Sequence, residues 1–352
     1  MNLNSVIQND INEIIDNPID WEKLKGKTVL ITGAMGMIAT YLVYTLLSVD
    51  QLFQLNLKVI GLVRDKNRAD KHFKLITDNP RFSLLVGDVT NNNLYDNLKI
   101  DYIIHAASQT NAKQFMTMPV ETIKTNVNGT INLLELAKKN NAKFLLLSTR
   151  EVYGKNNQLD SVRENEIGIM DYTQIRSCYP ESKRMSELLC LSYQNEYNID
   201  CKIARIEHVY GPGITLGDGR VMGDFIAAIV KHNDIIMKSE GLTELSLTYI
   251  SDVVSGLMLL LLNFKDTIYN LSDDKTVFLV KDLAQYLCEL FKDRNIKLVK
   301  HIMSEEAAKG YLQHKVPLLN SNKAINEGWN KKVSFKDGIY RVVSYYDMGE
   351  VE

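Results

Sequence analysis

From Lys27 onward, short runs of nearly continuous apolar residues alternate with longer stretches whose apolar positions recur at helical spacing. No other feature constrains the fold as strongly. The strand-like runs are Thr28–Thr32, Leu57–Val63, Phe82–Val86, Tyr102–His105, Phe144–Ser148 and Cys201–Ile206. Helical patterns fill the intervals, most clearly at Met37–Leu47, Pro119–Lys139 and Tyr179–Tyr197. A strand that is apolar throughout needs cover on both faces, and helices on either side of a parallel sheet supply it. The pattern therefore predicts an α/β chain with a doubly wound parallel sheet. Past about residue 206 the regularity drops. Helices predicted near 220–232, 252–263, 279–293 and 335–346 are joined by irregular segments, as in a smaller, mostly helical C-terminal substrate lobe. Three regions are expected: a helical extension over 1–26, a dinucleotide-binding domain over 27–206, and a substrate lobe over 207–352 partly interleaved with it. In the extension Ile7, Ile11, Ile14 and Ile15 share one helical stripe that Asn17-Pro18 stops, and Trp21 and Leu24 are placed to pin it to the body.

Directly after the first strand comes Gly33-Ala34-Met35-Gly36-Met37-Ile38-Ala39. Gly33 permits a tight turn, Gly36 lets backbone amides approach an anion, and the small Ala39 allows close helix–strand packing. A pyrophosphate would sit at the helix N-terminus, where free N–H groups and the macrodipole favour negative charge. This position makes the sheet Rossmann-type, with Gly33, Met35, Gly36, Met37 and Ile38 lining a dinucleotide cofactor. At the tip of the second strand an acidic residue would hold the ribose of NAD, and an arginine would suit the 2′-phosphate of NADP. Arg64 stands there, followed by Asp65, and leans towards NADP; a tightly held cofactor in a redox-neutral cycle leans towards NAD. Asp88 and Val89 follow the third strand at the adenine, while Ala106 and Ala107 follow the fourth and leave room for the cofactor.

Tyr179 and Lys183 lie four residues apart at the start of a helical pattern, hence on one face. An ammonium beside a phenol favours the phenolate, so Tyr179 is a candidate base for a substrate hydroxyl, with the Thr149 hydroxyl holding the same oxygen. The spacing also occurs at Tyr95–Lys99 and Tyr311–Lys315, but only the Tyr179 copy opens a long helix after a buried strand ending in Ser-Thr. Cys178, beside it, has no evident base and reads as filler.

At 352 residues, 45% hydrophobic and 24% charged, the chain has the composition of a globular protein. A formal charge of −2, without a long basic run, argues against nucleic acid as a partner. No apolar stretch reaches membrane-spanning length; Leu257–Leu262 reads as part of a buried helix. No secretory signal is apparent, so the cytoplasm is the default compartment. The four cysteines are scattered, with no zinc or disulfide spacing and no metal site expected.

Taken together, Ser148-Thr149-x-Glu151-Val152-Tyr153-Gly154, Arg176-Ser177-Cys178-Tyr179-Pro180-Glu181-Ser182-Lys183-Arg184, Tyr210-Gly211-Pro212-Gly213, Asp218-Gly219-Arg220-Val221 and Gly328-Trp329 resemble the extended short-chain dehydrogenase/reductases. The branch is that of the NAD-dependent nucleotide-sugar epimerases and dehydratases. Within it the chain looks most like UDP-glucuronate decarboxylases and dTDP-glucose 4,6-dehydratases. The resemblance implies that Tyr179 deprotonates a sugar C4 hydroxyl as hydride leaves C4. Lys183 would bind the nicotinamide ribose, Asn126 would be the family's structural asparagine beside the cofactor, and Glu151 would act near C5. Ser108, Arg150, Arg176, His208 and Arg220 are the implied substrate contacts. A homodimer through the helices at 119–139 and 179–197 is also implied.

Three residues depart from the pattern. Arg150 replaces the aspartate that dehydratases use as an acid, which counts against 4,6-dehydration; it is placed either to pair with a C6 carboxylate or to face a surface partner. Leu245 replaces a phosphate-gripping arginine, leaving Arg220 as the obvious cation. His208 replaces a substrate-contacting asparagine. The expected activity is redox-neutral chemistry on a nucleotide-diphosphate sugar through a 4-keto intermediate, as a hexuronate decarboxylase or an epimerase. An NADPH-dependent reductase or dehydrogenase is the alternative, and a non-catalytic dinucleotide-binding regulator the third class.

Overall fold

The computed structural model describes residues 3–109, 112–156, 159–302 and 316–349. The third Tyr-x3-Lys copy, at 311–315, lies outside them. Five strands of the expected sheet are β1 (Thr28–Thr32), β2 (Lys58–Val63), β3 (Phe82–Val86), β4 (Tyr102–His105) and β5 (Lys143–Thr149). With the strands Cys201–Ile206 and Ile268–Leu271 they form one seven-stranded sheet. Its order runs Ile268–Leu271, Cys201–Ile206, β5, β4, β1, β2, β3, with every pairing parallel. The order reverses between β1 and β4, the kind of switch point at which such sheets bind ligands beyond the carboxyl ends of their strands.

The helices follow from their ends as much as from their apolar stripes. They include α1 (Ser5–Ile15), α2 (Met37–Phe53), α3 (Lys66–His72), α4 (Ala112–Thr117), α5 (Pro119–Asn140) and α6 (Cys178–Tyr197). α5 opens on Pro119, whose missing N–H costs nothing in a first turn. α5 and α6 each stop at an asparagine in the left-handed region, Asn141 (φ 51°) and Asn198 (φ 56°). They pack side by side on the sheet.

The C-terminal part keeps the four expected helices, at Val221–Val230, Ile250–Leu262, Val280–Leu290 and Phe335–Asp347. Every residue of Ile250–Leu262 is buried. Strands also occur where irregular segments were expected. His208–Tyr210 and Val277–Leu279 flank Glu244–Tyr249 in a small sheet, and two further parallel pairs occur. Leu245 lies buried in that sheet opposite Phe278. The Asp252 carboxylate accepts the amides of Lys332 and Val333, and Trp329 donates its indole N–H to the Asp252 carbonyl. These bonds explain the Gly328-Trp329 motif as a brace against Asp252.

The N-terminal extension is held to the body by more than its apolar stripe. Ile7, Ile11 and Ile14 are buried, as are Trp21 and Leu24. Asp10, fully buried, accepts hydrogen bonds from the Tyr41 hydroxyl (2.8 Å), the Tyr249 hydroxyl (2.9 Å) and Arg341 Nη1 (2.7 Å). Glu13 takes both ends of the same guanidinium. α1 thus ties α2 to the C-terminal helix.

Candidate active site

The sheet register brings the chemistry together. Thr32 lies opposite His105, and Thr149 opposite Ile206, so the segments leaving these strands meet at one edge. Gly33 has φ +63°, and a Cβ there would stand 2.8 Å from the Ala107 Cα. The turn can pass under the Ala106-Ala107 segment only as glycine. Gly36 begins α2 without any side-chain cap, which leaves first-turn amides to receive an anion. Met35, Met37 and Ile38 are half-buried around it. Thr40 donates to the Ala34 carbonyl (3.1 Å) and shares a hydrogen bond with His72 Nε2 (2.8 Å), tying the turn to α3. An uncapped helix start behind a turn with no room for a Cβ fits a dinucleotide pyrophosphate.

The adenosine end is partly committed. Arg64 is exposed, while Asp65 caps α3 by accepting the Arg68 amide (3.1 Å). Asp88 Oδ1 accepts from the amide and hydroxyl of Thr90. Val89 is a core residue rather than a crevice wall. Its side chain packs where a Cβ on Gly129 would sit, and its carbonyl accepts from Tyr95 and Asn132. Asn126 is likewise engaged within the protein. It accepts the Ser108 hydroxyl (2.8 Å) and donates to the Ser182 hydroxyl (2.8 Å), which in turn donates to the Tyr179 carbonyl (2.9 Å). Ser108 thus braces the loop after β4 against α5, through a side chain that this bond already uses.

Tyr179 sits buried in the first turn of α6, and the nearby Thr149 hydroxyl, at the end of β5, accepts the Glu151 amide at 3.3 Å. The aromatic ring of Phe115, on α4, stacks on Tyr179 with centroids 4.6 Å apart and planes inclined by 16°. Lys183 is not hydrogen-bonded to the phenol. Its ammonium donates to the Leu147 carbonyl (2.9 Å). Burial pulls Lys183 down to about 8, partly offset by Glu187. The Tyr179 phenol is pushed well up, by burial first and the Glu151 charge second, against smaller pulls from Thr149, Arg176 and Arg220. A low-dielectric site penalises both charged forms, and no bond joins the two groups to repay it. His105 shares a hydrogen bond with Thr32 (2.8 Å) and is held neutral, burial and the Lys183 charge lowering it to about 3.

Glu151 pairs with Arg176 at 2.9 Å through one oxygen, and its second oxygen is buried without a partner. Arg150 does not face a surface partner, since it is buried and forms a 2.9 Å ion pair with Glu207. Glu207 Oε1 also meets His208 Nδ1 (2.9 Å), whereas Glu207 Oε2 and Arg150 Nη1 have no partner. Burial raises Glu207, but Arg150 and His208 outweigh it and hold the carboxyl below its ordinary range. Arg220, exposed, is paired with Asp218. Sequence reasoning missed Glu207 and Phe115. Neither belongs to a spacing motif; their signal is proximity alone.

Comparisons with known proteins agree with this geometry. The model of the NAD dependent epimerase/dehydratase family matches residues 29–272, and the chain belongs to that family. UDP-glucuronic acid decarboxylase 6 of Arabidopsis thaliana is 34% identical over 322 residues, covering 88% of this chain and 86% of the relative. An epimerase from Methanothermobacter thermautotrophicus superposes with a TM-score of 0.78 at 21% identity, over 98% of this chain and 96% of its own. A UDP-glucuronic acid 4-epimerase from Bacillus cereus, solved with UDP-glucuronic acid and NAD, gives 0.73 at 21% identity, over 91% and 99%. These likenesses support the Rossmann-type architecture. Among the described residues, no helix is long and apolar enough to cross a membrane.

Proposed function

We propose that the protein converts a nucleotide-diphosphate sugar, held beside a resident NAD, through a 4-keto intermediate and without net oxidation. The observation that carries this is the buried Tyr179 phenol in the first turn of α6, at the same sheet edge as the uncapped start of α2. Gly33, Gly36 and the first turn of α2 would hold the pyrophosphate, with Ala106 and Ala107 beneath the nicotinamide end. NAD supplies a hydride acceptor that can return what it takes. Arg64 is then an exposed neighbour of the adenosine rather than a reader of a 2′-phosphate, and the free oxygen of Asp65 suits a ribose hydroxyl.

Tyr179 takes the C4 hydroxyl proton as a hydride leaves C4, and Thr149 holds the oxygen that becomes the carbonyl. Lys183 must leave the Leu147 carbonyl, or be joined by ligand hydroxyls, to favour the phenolate. The new ketone acidifies C5. In decarboxylation the C5–C6 bond breaks, CO2 departs, the electron pair passes into an enolate, and C5 is reprotonated before hydride returns to C4. Glu151, with one buried oxygen unpaired, is the group near C5 for that proton.

Decarboxylation of a hexuronate is the first reading, supported by the curated relatives. Epimerisation is the second, and a specific observation favours it. Glu207 already balances the charge of Arg150, so this arginine offers a carboxylate less than a free guanidinium would. A homodimer is part of the proposal, supported by outward-facing Val120, Ile123, Met185 and Leu188 on α5 and α6. The test is incubation of the NAD-loaded protein with UDP-glucuronate, UDP-glucose and the corresponding GDP-, CDP- and dTDP-sugars. CO2 release selects the decarboxylase and a product of unchanged mass the epimerase. Loss of water would reinstate the dehydratase. No conversion of any of them would refute the reading.

A further inference from the structure

Phe115 belongs to none of the motifs that define the site, yet it touches three of its parts. The residue is buried on the short α4 helix. One face of its ring stacks on Tyr179, and the Arg176 guanidinium lies over the ring with its Cζ 4.6 Å from the centroid. That guanidinium holds Glu151 at 2.9 Å. The Phe115 carbonyl accepts the Cys178 thiol at 3.5 Å, fixing the backbone of α4 to the residue that opens α6. A phenol has two side-chain torsions. Helix packing fixes the first, while a near-parallel ring at stacking distance restricts the second. The guanidinium in turn gains from the ring's electron-rich face. A single aromatic ring therefore orients both proton-handling groups, Tyr179 directly and Glu151 through Arg176.

From this arrangement we infer that Phe115 is a positioning residue for the reaction. It fixes the plane of the Tyr179 ring and keeps water from the phenol, and as the platform for Arg176 it sets where the Glu151 carboxylate stands. Its role is distinct from holding the dinucleotide, because its recorded ring and hydrogen-bond contacts among the described residues are to Tyr179, Arg176 and Cys178 and not to the α2 turn. This inference rests on the 4-keto reading above. It requires an aromatic ring at 115, whereas packing alone requires only bulk.

The experiment compares wild type with Phe115→Leu, which keeps bulk but loses the ring, and Phe115→Tyr, which keeps the ring. Each is loaded with NAD and assayed with UDP-glucuronate and UDP-glucose. NAD affinity is measured separately by tryptophan fluorescence, and kcat is followed across pH. A misplacement of about an ångström costs on the order of a hundredfold in rate. Phe115→Leu should therefore lose about ten- to a hundredfold in kcat at unchanged NAD affinity. Its acid limb should move to lower pH, because water admitted to the phenol relieves the burial that raises it. Phe115→Tyr should recover most of the rate. Wild-type kcat and an unmoved acid limb in Phe115→Leu would overturn the inference, as would a parallel loss of NAD affinity. If wild type itself converts no nucleotide sugar, the 4-keto reading fails instead. In that case the stacking is tested by an Arg176–Phe115 double-mutant cycle on stability, where zero coupling refutes it.

Discussion

Removing the carboxylate charge of Glu207 isolates the least expected interaction of the site. The Glu207 side chain is 0% exposed and that of Arg150 7%, at an N···O distance of 2.9 Å. Taking two ions out of water costs several kcal/mol each, which their attraction and extra hydrogen bonds largely repay. Glu207→Gln keeps the shape and removes one charge, leaving the Arg150 guanidinium buried and uncompensated. Breaking a buried pair this way costs about 3–5 kcal/mol, and the retained amide oxygen places the expectation near the lower end, about 3 kcal/mol. Replacing both partners by apolar residues, Arg150→Met with Glu207→Leu, removes the desolvation cost together with the attraction and should fall within about 1 kcal/mol of wild type. Urea unfolding followed by the fluorescence of Trp21 and Trp329, both buried, measures each difference as a midpoint shift at constant slope. The pH sign follows from the depressed folded-state carboxyl: the wild-type contribution is present above the unfolded-state value, near 4.5, and disappears as pH falls through the folded one. The reasoning fails if Glu207→Gln unfolds within about 1 kcal/mol of wild type, or if the double variant is as unstable as the single one.

Tyr179→Phe should lower turnover by at least about a hundredfold, the usual share of a positioned base, while NAD affinity by fluorescence titration stays near wild type; full turnover would remove the assignment. Asp10→Ala leaves two buried tyrosine hydroxyls without their acceptor and strips one of two carboxylates from Arg341, so it should destabilise by about 3–5 kcal/mol in urea titrations. A loss below about 1 kcal/mol would mean that α1 is not a structural tie. Lys183 has a folded-state value near 8 against 10.5 unfolded. The unfolded chain therefore binds more protons between those values, and stability of the NAD-free protein should rise with pH there, by about 3 kcal/mol in all. Lys183→Met should flatten that rise, and an identical slope in both proteins would contradict the burial argument.

Much of the site was legible because its markers are local. Gly33 and Gly36 announce a turn through backbone geometry that only neighbouring residues decide, and Tyr179–Lys183 share a helical face by arithmetic alone. What those markers do not carry is the electrostatic state. From spacing, Lys183 reads as the neighbour that makes Tyr179 acidic. In the folded protein the Leu147 carbonyl has taken its ammonium, and burial works against both charges. Arg150 shows the same limit. Its place after Thr149 left a C6 carboxylate or a surface partner open, and the carboxylate it meets in the fold, Glu207, lies just past the next strand over.

The order of strands and helices was written in the chain itself, because a period of two or of three to four residues is a property of neighbours along the backbone. The α2 turn and the helix whose first turn carries Tyr179 followed from the same local rules. Which distant side chains meet was settled by packing. Arg150 finds Glu207 because the register of β5 with Cys201–Ile206 puts their ends side by side. Phe115 covers Tyr179, and Asp10 reaches Arg341, across separations at which no periodicity survives. Burial alone assigns these pairs their energies, since the same charges or rings in water would be screened and free to turn.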